Sequence, residues 1–305
     1  MLISARRLAM PCLLTAIGLL WASTSVSGQQ GEAEDSDSWD VTLARGETVD
    51  VEFTTDEGTW MDVDVSPDGR TLAFALLGDI YTMPVTGGTP TRVAEGLAWE
   101  VQPRFSPDGR RIAFTSDRGG GDNIWIMNVD GSDKRQLTKE DFRLINQASW
   151  SPDGNYIVAK KHFTTQRSLG TGEIWIYHVS GGGGVQLVKR ASDTLQKELG
   201  EPVYSPNGDA VYYSRNVTSG PIFEYAQDST QGTFAIERYD LATGEVTTAV
   251  SGYGGAVRPQ PSPDGKNIAF IRRDKDKTEL WVKDLASGQQ RMIYGDLDMD
   301  MQETW

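Results

Sequence analysis

The 305-residue chain has a formal net charge of −14 and contains 38% hydrophobic residues, 33 glycines and 13 prolines. This acidity argues against nucleic acids and anionic membrane surfaces as partners, because both would repel the protein. The glycine and proline content indicates many turns, which favours an all-β chain over a helical one.

The first 28 residues have the pattern of a secretory signal peptide. Arg6 and Arg7 provide a basic start, Leu8–Trp21 is apolar but short for a membrane span, and Val26–Gly28 offers small residues for cleavage. The only cysteine, Cys12, lies inside this segment, so the mature chain is expected to lack disulfides, thiol catalysis and cysteine-ligated metals. The pattern predicts a periplasmic or secreted protein, and no later segment is apolar enough to span a membrane.

Residues 29–48 form an acidic leader in which Arg45 is the only basic residue. Such charge blocks are typically solvated and partly disordered. Val49–Thr55 then alternates apolar and polar side chains, which predicts a β-strand ahead of the first repeat. The region 49–305 is therefore expected to be the folded part of the chain.

A four-residue signal, Ser-Pro-Asp-Gly, divides this region into units. Proline presets the backbone for a turn, aspartate stabilises the turn, and glycine takes the left-handed conformation that the turn requires. One copy, at 205–208, has asparagine in place of aspartate. The copies begin at Ser66, Ser106, Ser151, Ser205 and Ser262. Spacings of 40 to 57 residues between them indicate an array, a solenoid or a propeller.

The content of each unit decides among these architectures. A short alternating strand follows each turn, for example Arg111–Phe114, and two more strands follow before the next unit begins. Together with the residues ahead of Ser-Pro-Asp-Gly, each unit supplies four short antiparallel strands, which make one blade of a β-propeller. Helical periodicity is absent, which disfavours helical solenoids. The predicted blades are 60–94, 99–138, 145–188, 200–250 and 256–294.

The ring of blades is expected to be incomplete. Residues 295–305 resemble the start of a further blade, and the fifth predicted blade already has its own outer strand, so it has no vacancy for the strand at 49–55. Propellers commonly close by letting an N-terminal strand complete the last blade. The chain is therefore predicted to be a fragment of a protein with six or seven blades. The alternative is a complete five-bladed ring with ragged ends.

The glycine run Gly119–Gly121 invites comparison with a phosphate-binding loop. Such loops lead from a strand into a helix, whereas this run is followed by a predicted strand at 123–125. The run is therefore predicted to be the tip of a β-hairpin.

Phe105–Thr138 carries the whole repeat: an aromatic residue before Ser-Pro-Asp-Gly, then Ile-Ala-Phe, Ile-Trp and a closing Leu-Thr. At these residues the chain resembles the TolB-like β-propeller repeat, and the resemblance extends over about residues 60–294. Glu57–Met61, Phe114–Trp125 and Gly172–Trp175 are similar to the N-terminal propeller of large secreted bacterial proteins that carry an amidohydrolase domain. The resemblance implies a location outside the cytoplasm and a metal-dependent hydrolase elsewhere in the polypeptide.

Within this chain no catalytic residue, metal site or cofactor is expected. His162 and His178 stand in no ligand motif, and the Gly-x-Ser-x-Gly elbow of serine hydrolases is absent. Lys160–His162 form a basic spot in what the pattern indicates is a long insertion of the third unit. This spot would either dock an acidic partner or simply be a solvated loop.

One polar position recurs four residues before each Ser-Pro-Asp-Gly serine. Its residues would lie at similar heights on the innermost strands of a closed ring, facing the channel. Such a ring could bind a peptide end, a small polar molecule or ordered water, or be polar only because the channel is wet. The candidate binding residues are Asp62, Gln102, Gln147, Glu201 and Arg258.

Three functions fit these observations. The first is a non-catalytic binding, scaffold or substrate-gating module of a secreted amidohydrolase-type protein, with the downstream catalytic domain or a protein or peptide as its partner. The second is a free-standing periplasmic TolB-like protein that binds cell-envelope partners. The third is the propeller of a secreted prolyl-oligopeptidase-type or tricorn-type peptidase.

Overall fold

A computed structural model describes residues 40–49, 54–55, 58, 61–141, 143–164, 170–193, 197–221 and 228–297. Over these residues the regular structure consists of twenty β-strands and one 3₁₀ turn, Ser229–Gln231. The prediction of an all-β fold is confirmed. The predicted signal peptide, most of the strand at 49–55 and most of the segment 295–305 lie outside the described residues. Within the described residues, no helix is both long and apolar enough to cross a membrane.

The strands form five sheets of four strands each, and in each sheet every strand pairs antiparallel with its neighbour in the sequence. The first strands of the sheets are β1 (Val63–Val65), β5 (Glu100–Phe105), β9 (Leu144–Trp150), β13 (Leu199–Tyr204) and β17 (Val257–Pro261). The second strands are β2 (Thr71–Leu76), β6 (Arg111–Ser116), β10 (Tyr156–Thr164), β14 (Ala210–Asn216) and β18 (Asn267–Asp274).

The third strands are β3 (Asp79–Pro84), β7 (Asn123–Asn128), β11 (Gly170–His178), β15 (Phe234–Asp240) and β19 (Lys277–Asp284). The fourth strands are β4 (Thr91–Ala94), β8 (Arg135–Gln136), β12 (Val185–Val188), β16 (Val246–Val250) and β20 (Gln290–Leu297). The sheets are the five predicted four-stranded blades. The glycine run lies at the tip of the β6–β7 hairpin, where Ser116 pairs with Asn123, so that prediction is also confirmed.

The Ser-Pro-Asp-Gly turn joins the first and second strands of every blade and is held by its serine. In the second blade, Ser106 Oγ donates to Asp108 Oδ1 at 2.6 Å and accepts the backbone N–H of Arg111 at 2.9 Å. The glycines of the five turns have φ between +69° and +74°, a region in which residues other than glycine are strained. In the fourth blade asparagine replaces the aspartate, and Ser205 Oγ donates instead to Asp209 at 2.7 Å.

Replacement of Ser106 by alanine is expected to lower the free energy of unfolding by about 1–3 kcal/mol, because Ser106 is fully buried and the Arg111 N–H would lose its acceptor. Chemical denaturation of the two proteins measures the difference. Ser287→Ala is the matched control, since Ser287 Oγ makes a similar bond to Asp284 on the exposed surface. Equal effects of the two substitutions would contradict this account of the turn.

Hydrophobic clusters lie between consecutive blades. Ala73 and Ile80 of blade one pack with Ile112 and Phe114 of blade two, and three further clusters join blades two to three, three to four and four to five. Blades two, three and four are therefore packed against a neighbouring blade on both faces. Among the described residues no such cluster joins blade five to blade one, and on β1 the side chain of Val63 is 56% exposed. The expectation of six or seven blades in a longer protein stays a prediction.

Candidate binding site in the central cavity

The first strands of all five blades line one cavity of about 410 Å³. The five predicted binding residues all contribute to its wall, one for each blade. Four of them lie in the first strand of their blade, and Asp62 immediately precedes β1. A second layer of charged groups lies two residues further along the first two blades, at Asp64 and Arg104. The structure thus brings together the whole predicted set. That the set binds a ligand stays a prediction at this point.

The backbone at four of these five positions is left-handed. Gln102, Gln147, Glu201 and Arg258 have φ between +54° and +57°, which is uncommon for residues with side chains. In all four first strands the pairing register shifts at this residue, between Val101 and Arg104 in the case of β5, so the residue forms a β-bulge. Bulges of this kind re-aim a side chain, and backbone strain is retained where neighbouring structure enforces it.

The contact that holds each left-handed residue comes from the preceding blade. Gln102 Oε1 accepts the backbone N–H of Gln147 at 2.8 Å, and Gln147 Oε1 accepts the backbone N–H of Glu201 at 2.7 Å. Glu201 Oε2 accepts the backbone N–H of Arg258 at 2.7 Å. The Gln102 N–H in turn lies within hydrogen-bonding reach of the Asp62 carboxylate. We call this series of hydrogen bonds, from Asp62 to Arg258, the inter-blade chain.

Side chains of the second strands support the inter-blade chain. Thr115 Oγ1 donates to Gln102 Oε1 at 3.0 Å, and Ser214 Oγ donates to Glu201 Oε2 at 2.8 Å. The Arg258 guanidinium folds back onto the previous blade, where its Nε lies 3.1 Å from Glu201 Oε1. Gln102 Oε1 and Glu201 Oε2 therefore each accept two donors, which holds these oxygens in one orientation.

Burial raises the pKa of the cavity carboxyl groups. The pKa of Glu201 lies above its ordinary value because burial penalises the charged form, and the Arg258 guanidinium and the Ser214 hydroxyl offset part of that effect. Burial likewise raises the pKa of Asp62 and of Asp64, with Arg104 the main opposing charge for both. The cavity therefore holds carboxyl groups that resist ionisation more than exposed ones do.

The Glu201→Gln variant is expected to show a weaker loss of stability with rising pH than the parent protein. A carboxyl group whose pKa is raised on folding contributes stability that is fully present below its unfolded pKa, about 4.3, and is lost as the pH rises through the folded value. Glutamine does not titrate, so the variant becomes relatively more stable as the pH rises through this window. Urea denaturation at a series of pH values measures the difference.

Asp68→Asn provides a control, because the pKa of Asp68 is shifted in the direction opposite to that of Glu201. Hydrogen bonds from the Ser66 hydroxyl and the Arg70 N–H lower the pKa of Asp68, which lies in the first exposed turn. Its contribution to stability is present above the unfolded pKa and is lost as the pH falls. The Asp68→Asn variant should therefore lose stability relative to the parent mainly above about pH 4. The same pH dependence in both variants would contradict the assignment of the Glu201 shift.

Aromatic and proline side chains form the wall between the inter-blade chain and the turns. Trp150 Nε1 donates to the backbone oxygen of Arg104 at 3.0 Å, which ties blade three to blade two, and the Arg111 guanidinium lies 4.9 Å from the Trp150 ring centre. Phe105 and Tyr204 occupy the corresponding positions in their own blades. The cavity thus combines polar groups from the inter-blade chain with an apolar rim.

The basic spot at Lys160–His162 does not lie on a loop, so that expectation was wrong. All three residues belong to β10, and Lys160 and Lys161 are buried. Lys160 forms an ion pair with Glu198, and Lys161 Nζ lies 2.5 Å from Glu140 Oε1. Burial, followed by the charge of Lys160, lowers the pKa of His162. These residues are therefore internal structural contacts between blades.

The positions of the cavity residues were predictable from the sequence, but the hydrogen bonds of the inter-blade chain were not. The spacing of four residues to each serine was a sufficient signal for the position. The proline that follows Gln102, Glu201 and Arg258 was a further signal, since it marks an irregular backbone in the strand. The contribution of Asp64 and Arg104 carried no comparable repeat signal. Among the described residues, no group of three or more histidine, cysteine or acidic side chains is arranged to hold a metal ion.

Comparison with known proteins places the chain among propellers. The TolB beta propeller domain model matches residues 51–239. An uncharacterized protein of Agrobacterium fabrum is 29% identical over 221 residues, which cover 69% of this chain and 69% of that protein. Tricorn protease homolog 1 of Streptomyces coelicolor is 27% identical over 73% of this chain, and the Tol-Pal system protein TolB of Francisella tularensis is 30% identical over 68%.

The matched regions are only part of two of these relatives, 20% of the tricorn protease homolog and 44% of TolB. Among solved structures, a protein assigned as TolB from Agrobacterium tumefaciens superposes with a TM-score of 0.61 at 21% identity, over 76% of this chain and 79% of that one. At that identity the superposition supports the fold alone.

Proposed function

Because the chain belongs to the TolB beta propeller domain family, we propose that it is a non-catalytic binding module outside the cytoplasm, with a protein or peptide partner bound at the central cavity. The observation that carries this proposal is the convergence of five polar side chains, one for each blade, on a single cavity. Propellers bind ligands where inner strands and loops gather around the channel, and this cavity lies at such a place.

The arrangement of the cavity groups favours binding over catalysis. The carboxylates of the described cavity wall accept backbone N–H groups, as Asp64 does from Phe105 at 2.7 Å. Ser214 also donates to Glu201, but no histidine is among the described lining residues to act as a base for it. Groups held in this way recognise a ligand by its shape and hydrogen bonds.

The partner in the parent protein follows from the sequence resemblance. The stretches Glu57–Met61, Phe114–Trp125 and Gly172–Trp175 support an amidohydrolase-type domain elsewhere in the polypeptide, for which the propeller would be a scaffold or gate. The signal peptide pattern in the first 28 residues supports export. A free-standing TolB-like protein is the second candidate, favoured by the 30% identity to the Francisella protein. A tricorn-type peptidase propeller is the third.

Peptide selection on the full chain tests the proposal. A displayed peptide library is selected on the parent protein, and the selected peptides are measured against the double variant Glu201→Gln/Arg258→Met, which removes both members of the cavity ion pair. Lys266→Met, whose side chain is 77% exposed outside the cavity, is the control. We expect at least tenfold weaker binding to the double variant and unchanged binding to the control. Equal binding to all three proteins would rule out the cavity as the binding site.

A further inference from the structure

We propose that the cavity selects ligands through a carboxylate group, an inference that rests on the proposed function and specifies its ligand. The hydrogen-bond donors and acceptors of the cavity wall are not balanced. The inter-blade chain engages a side-chain oxygen of each of its first four members in a bond inside the protein, whereas the Nε2 groups of its two glutamines make no such bond within the described residues. A ligand that complements such a wall must present acceptors.

Two amide groups of the cavity wall have a fixed orientation. Gln102 Oε1 and Gln147 Oε1 each accept a backbone N–H from the next blade, so the oxygen end of each amide faces the protein. The Nε2 end must then face away from that contact. Neither Nε2 atom donates to another group in the described part of the chain, and both residues line the cavity. The two amides therefore present N–H donors to a ligand.

Two arginines add charged donors to the same wall. Arg258 lines the cavity and uses Nε for Glu201, its Nη groups make no hydrogen bond to another described residue, and its side chain is 45% exposed. Arg104 uses Nη1 for the backbone oxygens of Val63 and Pro103. A guanidinium group that presents two parallel N–H donors fits a carboxylate in bidentate geometry.

The carboxylates of the wall do not cancel this preference, because their oxygens already accept hydrogen bonds. Asp64 accepts from the Phe105 N–H, and Glu201 accepts from the Arg258 N–H and the Ser214 hydroxyl. Glu201 forms an ion pair with Arg258, and Arg104 is the main opposing charge for both Asp62 and Asp64, so two guanidinium groups offset most of the charge of three carboxyl groups. A volume of about 410 Å³ holds the end of a short peptide or a single sugar acid. Either could supply the carboxylate.

Isosteric substitutions test the inference. Gln147→Glu keeps an oxygen for the Glu201 N–H but replaces the donor NH₂ with an acceptor oxygen, and Gln102→Glu does the same one blade earlier. The probes are N-acetyl-glycylglycine and its C-terminal amide, together with glucuronate and glucose, measured by calorimetry on the full chain. Gln289→Glu, on an exposed turn outside the cavity, introduces the same charge as the control.

We expect the parent protein and Gln289→Glu to bind at least one carboxylate probe at least tenfold more tightly than its neutral counterpart, and both cavity variants to lose that preference. Preference for the acid-ended peptide identifies a peptide terminus as the source, and preference for glucuronate identifies a sugar acid. If neutral and acidic probes bind equally, or if none binds while library-selected peptides still do, the carboxylate inference is wrong and the proposed function stands. If selected peptides also fail to bind at the cavity, both are wrong.

Discussion

Replacement of Gly172 by alanine is expected to lower the free energy of unfolding by about 3 kcal/mol or more. Gly172 lies in β11, and an added Cβ would overlap the backbone oxygen of Leu199 in the next blade and lie 2.9 Å from the Lys160 side chain. The oxygen belongs to the backbone and cannot move without shifting β13. Such overpacking costs a few kcal/mol. Because the cavity residue Glu201 is two residues after Leu199 in β13, a shift of β13 would also change the shape of the cavity.

Denaturation in urea, followed by tryptophan fluorescence, measures this loss. Gly183→Ala is the matched control, since nothing lies within 4 Å of the Cβ that it would add. The control should be neutral or slightly stabilising, by less than about 1 kcal/mol, because alanine restricts the unfolded chain. Comparable destabilisation in both variants would show that the contact between Gly172 and Leu199 is not what limits the substitution.

Replacement of Trp150 by alanine is the second large effect, expected at about 3–5 kcal/mol. The ring is 7% exposed and packs in the cluster between blades two and three with Ile126 and Ala148. Its removal leaves a void and also leaves the backbone oxygen of Arg104 without its donor. Because Trp150 lines the cavity, the variant should bind the selected peptides more weakly even under conditions where it is folded.

Two further variants separate the contributions. Trp150→Phe keeps most of the apolar surface and loses the bond to Arg104, so it should cost about 1–2 kcal/mol. Trp99→Ala removes an indole that is 50% exposed and should cost less than the Trp150 substitution. A loss of stability in Trp99→Ala equal to that in Trp150→Ala would contradict the packing described for the cavity wall.

The fold was predictable from the sequence because a blade is built from local pairings. Each strand pairs with the next one along the chain, so the turn at Ser106 and the alternating strand at Arg111–Ser116 report directly on the sheet that they form. The length of β10 was not predictable in the same way. Lys160 and Lys161 are polar in sequence, and they enter the strand because Glu198 and Glu140 pair with them from distant positions.

In the candidate site, too, the local features were predictable from the sequence and the contacts between blades were not. The recurring offset from each serine located Gln147 and its four counterparts. The left-handed backbone of Gln147 could not be read from sequence, because it depends on a hydrogen bond to Gln102 in another blade. Nor does the pattern reveal which end of the amide faces the cavity, since that orientation is fixed only when the neighbouring N–H is in place.

The inter-blade chain has a direction, and this restricts how the repeats can be rearranged. Each link runs from a side-chain oxygen of one blade to the backbone N–H of the next. Asp62, Gln102, Gln147 and Glu201 each supply such an oxygen, whereas Arg258 has none to offer. The first four blades therefore carry a compatible connector, and the fifth does not. A shuffled or permuted array that placed the fifth blade ahead of another would lack one of these hydrogen bonds. The inter-blade chain residue of each blade therefore restricts which blade can follow it.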